Sequence, residues 1–155
     1  MTPAKENEKL LSALSMKKIR LSGIVKSHSG RGTKLGFPTA NIDLAEDIPD
    51  GIYVGFTTVE NHKLSSLIFI GTPEMFGETE KKAEIYILDF DEDLYGKTIT
   101  VELLKKLRDS KKFASEKELI EAMQEDERDA KVFFKIQDTK NKQVSNNKSQ
   151  RLKLL

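Results

Sequence analysis

Five or six short apolar runs, parted by turn-forming residues, precede the one segment of strong helical periodicity, and this order restricts the possible folds more than any other feature. From Lys18 to Ser27, Ile19, Leu21 and Val25 alternate with polar residues, and Gly23 marks a bend or bulge. A second strand passes through Asn41 to Leu44, and Pro49-Asp50-Gly51 then turns the chain. Gly51 to Val59 and Leu64 to Ile70 are rich in branched and aromatic residues that suit a sheet. Ala83 to Phe90 alternates, with Ala83, Ile85 and Ile87 on one side and Glu84, Tyr86, Leu88 and Phe90 on the other. Thr98 to Leu107 follows the turn Asp93-Leu94-Tyr95-Gly96. Strands in succession before any firm helix predict an all-β barrel or sandwich with an appended helix.

That helix starts at Ser115, which caps backbone N–H groups while Glu118 reaches back to complete a capping box. Leu119, Met123, Ala130 and Phe133 give it a face to lay on the sheet. Three segments result: an N-terminal extension, 1–17, with Leu10, Leu11 and Leu14 spaced for a short helix or a frayed terminus; a domain, 18–136; and a polar tail, 137–155, expected to be disordered. In the tail, five basic residues against Asp138 leave +4.

A length of 155 residues suits one domain. Basic and acidic residues number 26 and 25, for a net charge of +1, so binding nucleic acid through bulk charge is disfavoured. With no cysteine there are no disulfides or thiolate-metal sites, and two scattered histidines make no zinc site. No stretch is apolar enough to cross a bilayer, and the polar start is unlike a signal peptide. The expectation is a soluble, cytoplasmic monomer.

The chemistry concentrates in Gly30-Arg31-Gly32-Thr33-Lys34-Leu35-Gly36-Phe37-Pro38-Thr39-Ala40-Asn41. Its glycines free the backbone to turn N–H groups toward an anion, and Arg31 and Lys34 add positive charge. The spacing fits neither a Walker loop nor G-x-G-x-x-G, and by composition alone a structural hairpin is favoured over a phosphate site. Beyond Pro38, Thr39 and Asn41 stand two apart, which on a strand directs a hydroxyl and an amide to one face where they can bind a hydrated metal and a phosphate.

This segment resembles the signature of the riboflavin kinase family. Asp50-Gly51-Ile52-Tyr53, Glu84-Ile85-Tyr86-Ile87-Leu88-Asp89-Phe90, Asp93-Leu94-Tyr95-Gly96, and Leu107-Arg108 leading to Lys112-Phe113 resemble further blocks in the family's order, covering about residues 19–134. The resemblance implies a mainly β fold, a six-stranded Greek-key β-barrel with a C-terminal α-helix packed on it. It also implies transfer of phosphate from Mg²⁺-ATP to the ribityl 5′-hydroxyl of riboflavin, giving FMN and ADP. In bifunctional bacterial relatives a separate half adenylylates FMN, and the residues before Ile19 are too few to supply one.

Carried over position by position, Thr39 and Asn41 match the family's metal and nucleotide-phosphate positions, and Gly30, Gly32, Lys34 and Gly36 would line the phosphates. Glu84 matches the proposed catalytic base; read without the family it is a surface acid or a partner of Lys81 or Lys82. Arg108, Phe113 and Tyr86 are assigned to the flavin, although Arg108 also reads as a surface charge and Phe113 as a core aromatic. Tyr86 stands where the family usually has histidine, and Ser110 where an acid commonly follows the arginine. Those departures keep open a non-catalytic flavin or nucleotide binder of the same fold, and a weaker reading has the basic tail bind nucleic acid. Segment 76–82 reads as a mobile lid or an exposed loop.

Overall fold

The computed structural model describes residues 19–26, 36–44, 46–72 and 79–153, and beyond Asp138 only the helical backbone. The expected N-terminal helix and residues 76–78 of the possible lid lie outside these residues. Six strands are described: β1 (Ile19–Ile24), β2 (Ala40–Asp43), β3 (Gly51–Val59), β4 (His62–Gly71), β5 (Lys82–Ile87) and β6 (Thr98–Arg108). One helix, α1 (Glu116–Lys153), follows.

All pairings are antiparallel, in the order β1-β6-β3-β4-β5-β2. β3, β4 and β5 form a meander, and β6 returns to lie beside β3, which is the Greek-key arrangement. A bridge between Lys26 and Asn41 joins the ends of the sheet, so the barrel is nearly closed. The turn between β3 and β4 is two residues long, Glu60 and Asn61, both with positive φ (48° and 70°), the twist that matches a tight hairpin.

Alternation sorts the side chains into two clusters. Leu21, Ile42, Tyr53, Ile68, Ile85, Ile99 and Val101 fill the barrel. Ile52, Val54 and Leu67 face outward and are covered by Ala130 and Phe134 of α1. Phe90 departs from the predicted alternation: Asp89 takes a left-handed conformation (φ 54°), which turns Phe90 back onto the interior cluster. Gly23 is not a bulge, since the β1–β6 register runs unbroken through it. Its value is closeness, because a Cβ there would lie 3.3 Å from Ile42 Cβ across the seam.

Gly55 carries a stricter requirement. It sits at a register shift between β3 and β6, and an added Cβ would press into the backbone carbonyl oxygen of Glu102 and lie 2.9 Å from Ile68 Cδ1. Backbone cannot step aside as a side chain can. Gly55→Ala is therefore expected to cost about 3 kcal/mol or more, read as a lowered urea midpoint at unchanged m-value.

The helix begins as predicted. Ser115 Oγ accepts the Glu118 N–H at 3.2 Å, while Glu118 Oε2 accepts the N–H of Ala114, one residue further back than a standard capping box, at 3.1 Å. Its buried face is Met123, Asp126, Ala130 and Phe134, with Phe133 only partly buried. The segment 137–155, expected as a disordered tail, carries helical backbone as far as Lys153. It contains no glycine or proline and is rich in lysine and glutamine, so nothing local ends the helix where the apolar pattern stops.

Candidate functional site

Register brings the predicted residues together. β2 and β5 pair with Asn41 directly opposite Glu84, so the two side chains project side by side from the outer face. Tyr86, two residues further along β5, shares that face. Lys26 pairs with Asn41 from the other side, and its ammonium forms an ion pair with Asp43. The seam of the barrel thus carries Lys26, Asn41 and Glu84 in a row across three chain segments.

Asn41 is 8% exposed. Among the described residues, its Oδ1 is the one buried side-chain oxygen with no hydrogen-bond partner. A buried acceptor left unmade costs about 1–3 kcal/mol, and the described residues supply no group to satisfy it. A hard cation or its bound water fits this oxygen, and Thr39 adds a hydroxyl two residues away. No group of three or more His, Cys, Asp or Glu side chains among the described residues is placed to hold a metal. The donor set suits an ion that keeps most of its waters, not one caged by protein.

Thr39 lies one residue before β2 and borders a cavity of about 390 Å³. Val25, Ile85, Ile87 and Phe90 make it largely apolar, while Asp91, Glu92 and Asp93 give its rim negative charge. Tyr95 stands at the rim 65% exposed, its N–H held by Asp93 Oδ1 at 2.9 Å. This size and mixture suit a flat heterocycle with polar edges. The Asp93-to-Gly96 segment reads as a turn in the sequence. Its share in a cavity depends on packing against β5.

Gly36 adopts φ 88°, a conformation glycine takes without strain, just before Phe37 becomes buried. Gly30, Gly32 and Lys34 lie outside the described residues. Phe37 meets the Tyr86 ring edge-on, centroids 5.4 Å apart. Tyr86 Oη donates to Glu127 Oε2 at 3.0 Å, and burial first, then this hydrogen bond, pushes the phenol up to about 12. It stays a neutral donor throughout the physiological range. Lys81, one alternative partner for Glu84, instead pairs with Asp50 at 2.8 Å and Asp47 at 3.4 Å.

At the end of β6, Arg108 donates from Nε to Asp126 Oδ1 at 2.7 Å and from Nη2 to Asp126 Oδ2 at 2.8 Å. Its guanidinium carbon lies 5.7 Å from the centroid of the Phe113 ring, so the two predicted flavin residues are neighbours. Asp126 and Glu127 do not appear among the residues singled out from sequence. The available signal was an acid at a helical step of three after Met123, on a face otherwise apolar.

The chain matches the profile described as Flavokinase: Riboflavin kinase over residues 15–134. It is 32% identical over 120 residues to the bifunctional riboflavin kinase/FMN adenylyltransferase of Bacillus subtilis, covering 74% of this chain and 38% of that protein. A riboflavin kinase from Trypanosoma brucei superposes with a TM-score of 0.57 at 25% identity, over 76% of this chain and 78% of that one. A Streptococcus pneumoniae structure described as a macrolide-efflux protein gives a TM-score of 0.65 at 32% identity, over 82% of this chain and 41% of that one. This chain spans well under half the length of the B. subtilis and S. pneumoniae proteins.

Proposed function

The chain belongs to the riboflavin kinase family, and from that premise we propose that it transfers the γ-phosphate of ATP to the ribityl 5′-hydroxyl of riboflavin, yielding FMN and ADP. The observation that carries this reading is Asn41 beside Glu84, one with an unsatisfied buried oxygen, the other a carboxylate on the same face. Phosphoryl transfer asks a protein for positioning and charge, with one group to take the proton of the attacking hydroxyl.

The nucleotide base occupies the apolar cavity with Tyr95 at its rim, and the phosphates cross Thr39 toward Asn41. Thr39 and Asn41 would hold a hydrated Mg²⁺, which when bound would neutralise phosphate charge. Gly30, Gly32, Lys34 and Gly36 are assigned to the phosphates. Glu84 accepts the 5′-hydroxyl proton as that oxygen bonds to γ-phosphorus and the β,γ-bridging oxygen departs with ADP. Arg108, Phe113 and Tyr86 receive the flavin. Among the described residues no helix is long and apolar enough to cross a membrane; that the protein acts as a cytoplasmic monomer is part of the same proposal.

The test is product formation. Protein incubated with riboflavin, ATP and Mg²⁺ should yield FMN and ADP in equal amounts, and EDTA should stop both. Absence of FMN under these conditions would remove the proposal.

A further inference from the structure

We infer that Asp126 is a positioning residue for the flavin acceptor, aiming Arg108 from the helix, and that Glu127 beside it does the same for Tyr86. This rests on the kinase reading above. Asp126 is 2% exposed, a charge on the packed face of α1. An apolar residue there would join the outer cluster with no desolvation cost, so the carboxylate must be balanced by what it holds. What it holds is Arg108, through both carboxylate oxygens.

The geometry leaves Arg108 with little freedom. Nε and Nη2 are engaged by Asp126, and Nη1 donates to the Asp109 carbonyl at 3.2 Å. Of the five N–H bonds of a guanidinium, two remain uncommitted among the described residues. Because Asp126 fills one edge, these two point away from it, and Phe113 flanks the plane. A fixed fork of donors beside an aromatic face matches a planar ring that carries carbonyl acceptors along one edge. The flavin ring system is such an acceptor.

Glu127 works on the opposite flank. Its Oε2 accepts from Tyr86, and its Oε1 pairs with Lys131 at 3.2 Å. Two consecutive acids thus reach strands β5 and β6, which β3 and β4 separate in the sheet. A single turn of helix sets the spacing between Tyr86 and Arg108.

The experiment measures steady-state KM for riboflavin and ATP, and the riboflavin Kd by fluorescence quenching, in the wild-type protein and in Asp126→Asn. Expected is a rise of about 10–100-fold in riboflavin KM and Kd, with ATP KM within about 2-fold. Asp126→Glu covers the case in which the Asn variant does not fold. It keeps the charge pair but shifts the guanidinium by one methylene, and should raise riboflavin KM and Kd in the same selective way. A purely structural role predicts a lowered Tm with riboflavin KM and Kd unchanged, or both substrates affected equally, and either result overturns the inference. If the wild-type protein binds riboflavin yet makes no FMN, the kinase reading fails while the Kd ratio still decides the role of Asp126. A wild-type protein that bound no riboflavin would overturn the inference too.

Discussion

Asn41→Leu should give a protein at least as stable as the parent, yet about 10²–10³-fold slower in phosphoryl transfer. The two effects have one origin. Asn41 Oδ1 is buried with no partner among the described residues, so without ligand it is a standing cost of about 1–3 kcal/mol. Leucine has similar volume and no such atom, and it removes that cost while packing at the same place on the seam. The same substitution deletes the oxygen proposed to meet the cation and phosphates, so the transition state loses a fixed polar contact. Urea denaturation and FMN formation, measured on the same preparation, give both numbers. A variant several kcal/mol less stable, with turnover near the parent's, would show that Asn41 is a structural residue whose oxygen is satisfied within the fold.

Glu84→Gln is expected to lower kcat by about 10²–10⁴-fold with the KM for each substrate changed little. The amide is nearly isosteric and remains on the outer face opposite Asn41 and Phe69, so positioning survives. What disappears is a group able to take a proton as the ribityl oxygen bonds to phosphorus. The split matters more than the size. Loss confined to kcat is the mark of an interaction made in the transition state, whereas a rise in KM alone would place Glu84 in ground-state binding. Turnover equal to the parent's would withdraw the residue from catalysis.

Both predictions use a juxtaposition whose parts the sequence displays separately. The period-two pattern of Ala83–Phe90 assigns Glu84 and Tyr86 to one side of a strand, and Pro38-Thr39-Ala40-Asn41 reads as an extended segment. Nothing in either run says that Asn41 and Glu84 are opposite each other. Register does, and register follows from closing the seam and burying Ile42, Ala83 and Ile85 inside. The acids on α1 show the same limit from the helix side. Periodicity places Asp126 on the packed face, but its partner is Arg108, eighteen residues earlier, and the pairing exists only once the helix lies across the outer sheet.

Local chemistry also explains where the reading from sequence went astray. Asp89 breaks the alternation with one left-handed residue, which no count of apolar positions reports, and so Phe90 changes sides. The helix outlasts its apolar face because continuing it needs only the absence of a breaker.

The sequence by itself determined the strand runs, the capped helix that follows them and the candidate residues for chemistry, because these follow from short-range periodicity and side-chain type. Only the tertiary structure decided which of those residues meet: Asn41 with Glu84, Tyr86 with Glu127, Arg108 with Asp126. Such contacts join segments far apart along the chain, and their positions are set by the one packing that fills the barrel and covers its outer face together.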